Sequence, residues 1–162
     1  MSRIVFLAFM LCPAVAFAEA AYDLPVSVAV RGISACESMA KKKGWRVAIA
    51  VKDIGGNLVA FRRMDGAFTM ATSVALQKAE SAATTPLSTA AMRELVYRSP
   101  ERPHGLEFMP GVAVFDGGEP IRLADGTQIG AIGVSGATSK DDGRCARHAV
   151  AEIGRALGLK PQ

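Results

Sequence analysis

The chain reads as an α+β domain, an antiparallel sheet of about five strands with helices packed on it. Three observations carry this. Two apolar runs, residues 47–51 and 58–61, flank Asp53-Ile54-Gly55-Gly56-Asn57, the signature of a β-hairpin, because the reversal needs residues that tolerate positive φ. The C-terminal third repeats that chemistry: strand candidates at 112–115, 121–123 and 128–135 are separated by Asp116-Gly117-Gly118 and Asp125-Gly126. Segments with apolar residues at helical spacing precede, divide and follow these strands.

In chain order, the N-terminus comes first. Arg3 is the only charge before Glu19, residues 4–17 are apolar with one break at Pro13, and Ala16-Phe17-Ala18 follows. A basic start, an apolar run and a small-x-small site read as a secretory signal peptide. The run is short of the roughly 20 residues a membrane-spanning helix needs. Cys12 is preceded by Phe9-Met10-Leu11, without the small residue of a lipoprotein site. Residues 1–18 are thus expected to be a leader, residues 19–162 a single domain, and the protein periplasmic or secreted. Cleavage removes Arg3 and leaves 18 Lys and Arg against 15 Asp and Glu. The balance is mildly basic, and no basic block carries interleaved aromatics. Lys41-Lys42-Lys43 sits at a helix end, where cations suit the macrodipole. No nucleic-acid partner and no stable membrane insertion are expected.

Val26, Ala29, Val30, Ile33, Cys36 and Ala40, with Pro25 before and Gly44 after, predict a first helix over 25–43. In the hairpin, Val47, Ile49 and Val51 project from one face and Ala48 and Ala50 from the other, so both faces are expected to be covered at least in part. A second helix should begin near Thr69 and stop before Pro86. Ser88 can cap a short third helix holding Met92, Leu95 and Val96. Residues 99–110 contain three prolines and must be a loop, long enough to suggest function. Gly130 and Gly133 lie inside a strand pattern, where glycine marks the close approach of a backbone, helix or ligand. Asp141 is expected to cap a last helix that reaches Leu157 and ends at Gly158, with Cys145, Ala149, Val150 and Ile153 on its apolar face.

Five motifs then occur in order: Asp53-x-Gly-Gly, Arg63-Met64-Asp65-Gly66-Ala67, Lys78-Ala79 on a helix, Gly117-Gly118-x-Pro120, and 129–136 as Ile-Gly-Ala-Ile-Gly-Val-Ser-Gly. Together they resemble the GlcG/HbpS-like family, which includes the C-terminal domain of PduO-type adenosyltransferases. Over nearly the whole mature chain, the resemblance implies a profilin-like α-β-α domain whose first and last helices pack on the sheet. It also implies homo-oligomers and, in several members, haem binding. Fold transfers along such a resemblance better than function does. Removal of Cys12 would leave Cys36 and Cys145, both on apolar helix faces. In the implied fold those two helices lie side by side, close enough for a disulfide; two buried thiols are the alternative.

No zinc pattern, phosphate-binding loop or nucleophile elbow is present. Gly130-x-x-Gly133 lacks the three-glycine dinucleotide spacing. His148 falls beside Arg144 and Arg155, opposite Cys145, and reads as a solvated surface residue. His104 differs, because it lies in the Pro-rich loop among Arg102, Glu107 and Phe108. Imidazole is a common axial ligand of haem iron, and arginine pairs with propionates. These four residues form one candidate ligand surface, with heme as the expected cofactor and His104 as the candidate iron ligand. An exposed loop histidine is the plain alternative. Met64, Met70 and Met109 offer thioethers but suit simple packing. Lys78 lies in a small-residue helix face, where an unpaired charge would be expensive. It is expected to meet Asp65 or a ligand carboxylate. Arg62, Arg63, Asp65 and Lys78 thus make a second candidate site, and an enzyme or accessory factor acting on a small carboxylate is the alternative function.

Overall fold

In the computed structural model, residues 24–98, 100 and 105–159 are described. Residues 1–18, the expected leader, lie outside them. Pro25, with φ −62°, leads into α1 (Val26–Lys43). The helix ends at Gly44, whose φ of 71° reverses the chain, and Trp45 N–H returns to Ala40 O at 2.9 Å. The hairpin follows as β1 (Ala48–Asp53) and β2 (Leu58–Arg63). In its turn the Asp53 carboxylate accepts from the Asn57 backbone N–H at 2.8 Å. Helix α2 (Thr69–Ala83) stops before Pro86 as expected. Helix α3 (Thr89–Arg98) is capped by Ser88, whose Oγ accepts from Ala91 N–H at 3.1 Å. A 3-10 turn (Leu106–Phe108), β3 (Gly118–Arg122), β4 (Gln128–Ser135) and α4 (Ser139–Ala156) complete the chain.

The α+β reading is correct, but the described sheet has four strands in the order β2-β1-β4-β3, all antiparallel, and not five. Residues 112–115 form no strand because α2 claims their backbone. Ala113 N–H donates to Ser81 Oγ at 2.8 Å, and Val112 O accepts from Gln77 Nε2 at 3.4 Å. Helix α4 is capped by Thr138 and not by Asp141. The Thr138 Oγ1 accepts from Asp141 N–H, so Asp141 is the third residue of the capping turn.

The two faces of the sheet are built differently. Val47, Ile49, Val51, Ile132 and Val134 meet Ile33 and Cys36 of α1 and Cys145, Ala149 and Ile153 of α4. The opposite face is small: Ala48 and Ala50 pack against Ala71, Ala75 and Ala79 of α2. Gly133, paired with both Ala50 and Gly118, lets α2 settle onto the strands. A Cβ there would lie 2.1 Å from Ala75 O. Helices α1 and α4 lie side by side and are bridged by a Cys36–Cys145 disulfide, with Cα atoms 4.9 Å apart. Among the described residues, no helix is long and apolar enough to cross a membrane.

Candidate functional site

The motifs of the second half of the chain converge on one side chain, Lys78. It rises from α2 into the seam between β4, the β3 entry and the start of α4, and is 1 % exposed. Gly117 leaves room for this side chain, and Gly118 for the α2 backbone that carries it. A Cβ at Gly117 would lie 2.7 Å from Lys78 Nζ, and one at Gly118 would lie 2.4 Å from Lys78 O. With φ at 126°, Gly117 also occupies backbone space that side chains avoid. Its carbonyl accepts from Val134 N–H at 2.8 Å, so the glycine pair joins β4 directly.

The ammonium is paired within the chain. Nζ donates to Val134 O and to Asp142 Oδ2, each at 2.9 Å, and sits 4.9 Å from the centre of the Phe115 ring. Asp142 Oδ1 accepts from Ala137 N–H at 2.9 Å, which seats the carboxylate in the first turn of α4. Burial pushes the Lys78 ammonium below its ordinary pKa and the Asp142 carboxyl above its own, while their mutual attraction opposes both shifts. A ring of charge surrounds the pair. Arg93 Nη1 of α3 lies 2.8 Å from Asp116 Oδ1, an ion pair without an aligned hydrogen bond. Arg147 of α4 holds Glu119 of β3 at 2.8 Å, and burial pushes the Glu119 carboxyl upward.

The partner expected for Lys78 was therefore misplaced. Asp65 stands exposed on the turn after β2, and the carboxylate on Lys78 is Asp142, 64 residues later. Nor do the two arginines converge on Lys78. Arg62 pairs with Ile49 and Arg63 with Ala48, so they point to opposite faces of β2. Arg62 Nη1 bonds Glu37 of α1, and Arg63 Nη2 bonds Ala67 O. Arg62 and Lys78 are engaged by separate carboxylates, Glu37 and Asp142, and Asp65 is on neither pair.

Arg102 and His104 lie outside the described residues. The neighbouring Glu107 and Phe108 belong to the 3-10 turn that Gly105, with φ 105°, introduces. Phe108 is 82 % exposed and Met109 55 %, while Glu107 Oε2 is buried with no hydrogen-bond partner among the described residues. The loop behind them is strapped to α2, since Ser81 Oγ bonds both Gly111 O and Ala113 N–H. His148 is half-buried on α4, and Met64 is packed in the core. No group of three or more His, Cys, Asp and Glu side chains suited to a metal ion occurs among the described residues. The signal that sequence reasoning missed was Asp142: an acid in the first turn of a helix entered directly from a glycine-rich strand.

Comparison with known proteins places the chain by sequence and by fold. GlcG of Escherichia coli strain K12 is 36 % identical over 103 residues, covering 64 % of this chain and 74 % of that protein. The structure of ORFY from Klebsiella pneumoniae superposes with a TM-score of 0.74 at 30 % identity, covering 80 % of this chain and 89 % of that one. The structure titled PduOC:Heme Complex gives 0.73 at 26 % identity, covering 80 % and 94 %. The family model described as "Haem degrading protein HbpS-like" matches residues 24–151, and the chain belongs to the HbpS-like family.

Proposed function

We propose that the protein is an exported haem-binding protein. The observation that carries the reading is the match to the PduOC haem complex over 94 % of that chain, within a family whose description names haem. The residues present fit such a ligand. A haem needs apolar surface, an axial donor and cations for its propionates. Phe108 and Met109 present apolar surface to solvent beside the segment that carries Arg102 and His104. His104 is the proposed axial ligand; the disulfide occupies Cys36 and Cys145, and the exposed thioethers of Met70 and Met109 are the alternatives among the described residues. The bridge also supports the leader at residues 1–18, because disulfides persist in oxidising compartments. The small-carboxylate reading loses support, since Lys78 and Arg62 are neutralised by Asp142 and Glu37, and Arg63 leaves β2 from the face opposite Arg62. Hemin added to the purified protein should give a saturable Soret shift that weakens in His104→Ala. An unchanged spectrum in the variant removes His104 from the site; no saturable shift in the wild type sinks the haem reading itself.

A further inference from the structure

Two stretches of the chain meet at one end of the sheet, where β1 begins and β2 ends. Residues 37–46 run from the last turns of α1 toward β1, and residues 62–70 leave β2 and open α2. Arg63 pairs with Ala48 across the hairpin, and Met64 N–H donates to Val47 O at 2.9 Å. The Arg46 side chain lies over the turn after β2, since a Cβ on Gly66 would be 3.6 Å from Arg46 Nε. Arg62 reaches back to Glu37 of α1, and Arg63 donates to Ala67 O. This end therefore spans three layers, from the last turn of α1 across the strand ends to the first turn of α2.

The excess positive charge of the described chain is concentrated there. The two stretches hold six cations, Lys41, Lys42, Lys43, Arg46, Arg62 and Arg63, against two acids, Glu37 and Asp65. All six cations are exposed. Everywhere else the described residues carry ten cations and ten acids, an even balance. Glu37 is one carboxylate shared by Lys41 and Arg62. Lys42, Lys43, Arg46 and Arg63 have no carboxylate within ion-pair distance among the described residues. Two apolar side chains stand beside these cations. Phe68 and Met70, 52 % and 65 % exposed, project from a segment pinned by the buried Met64, Ala67 and Ala71. Ala67 N–H returns to Met64 O at 3.1 Å and Ala71 N–H to Phe68 O at 3.0 Å, so the backbone that presents them is fixed.

We propose that this end of the molecule docks on the surface of an anionic phospholipid bilayer, peripherally and without spanning it. Charge complementarity names the occupant, because four cations without a carboxylate partner call for a surface dense in phosphate. Phe68 and Met70 favour a bilayer over a soluble polyanion. Apolar side chains can enter the headgroup–acyl boundary while neighbouring cations hold the phosphates, and a soluble acidic chain offers them no such medium. The docking surface does not rest on haem binding: of the residues named for that ligand, only Met70 lies here.

Sedimentation of the purified protein with vesicles tests this, at about 0.1 M salt. Vesicles of phosphatidylcholine and phosphatidylglycerol in equal parts should carry the protein down saturably, and phosphatidylcholine alone should not. Raising the salt to about 1 M shortens the screening length from about 10 Å to 3 Å and should weaken binding by about tenfold or more. Lys43→Gln with Arg46→Gln should cost about twentyfold, at roughly fivefold for each cation lost near an anionic surface. Lys43→Arg with Arg46→Lys should bind as the wild type does. Phe68→Ser with Met70→Ser should weaken binding by about tenfold or more at an unchanged melting temperature. No sedimentation with the anionic vesicles, equal sedimentation with both kinds, or full binding by the glutamine pair overturns the proposal. Full binding by the serine pair, or displacement from the vesicles by soluble poly-glutamate, would assign the surface to an acidic protein and overturns it too.

Discussion

At the scale of single residues, Lys78 shows how a costly group is retained. A buried ammonium alone would be expensive, and so would a buried Asp142 carboxylate; each is tolerable because the other is there. Removing one partner should therefore hurt more than removing both. Lys78→Met and Asp142→Asn should each lose about 3–5 kcal/mol, and the double variant clearly less than their sum. Urea unfolding of the four proteins measures this, and additive losses would show that the pair is not coupled. A second prediction concerns acid. Hydrogen bonds from Lys41 and then Arg62 hold Glu37 below its ordinary pKa of 4.5. As pH falls through that value, the unfolded chain takes up the proton first, so stability drops from about pH 4.5 downward. Glu37→Gln should flatten that part of the pH–stability curve, by about 1 kcal/mol or less because solvent screens these ion pairs. A curve of unchanged slope would dismiss the contribution. The oddity of Lys78 was legible in the sequence from its place among alanines, but its partner was not. Periodicity tells which face a side chain leaves from; a contact 64 residues away depends on how α4 docks.

At the scale of elements, the small-residue face of the sheet decides where α2 lies. Sequence alone read glycine at Gly130 and Gly133 as a mark of close approach, and the approaching groups are now identified. Gly130 meets Lys52 O of the neighbouring strand, and Gly133 meets Ala75 O and Ala79 N of α2. Gly133→Ala has no flexible side chain to displace, because both obstacles are backbone. It should cost about 3 kcal/mol by overpacking, read as a lower urea midpoint at unchanged slope. A loss under half that would mean that α2 slides freely on the strands. The error at 112–115 has the opposite origin. A short apolar run looks like a strand whether its backbone bonds a neighbouring strand or, as here, the Gln77 and Ser81 side chains of a helix. Between α1 and α4, the disulfide closes a 109-residue separation, for which chain-entropy models give about 4–5 kcal/mol. Alkylation under denaturing conditions should find no free thiol at Cys36 or Cys145 until reductant is added. Two labelled thiols in the unreduced protein would exclude the bridge.

At the scale of the whole molecule, the strand order leaves β2 and β3 as edges, and they are protected unequally. β3 carries Pro120 and an irregularity at Arg122, both of which discourage a further strand. β2 is open. Leu58 and Phe61 pair with Lys52 and Ala50, which face α2, yet α2 does not cover them: they are 53 % and 37 % exposed. Ile54, in the turn of the same hairpin, is 52 % exposed. Apolar side chains grouped along an open edge mark an interaction surface rather than a solvent face. A second copy is the occupant expected here, through a self-complementary two-fold contact. Light scattering coupled to size exclusion should then give at least twice the chain mass at micromolar concentration. Phe61→Arg, with Leu58→Lys added if needed, should lower that mass while the disulfide and the helical content stay intact. A wild type that elutes as a monomer would refute assembly through this edge, and so would an oligomer indifferent to both substitutions.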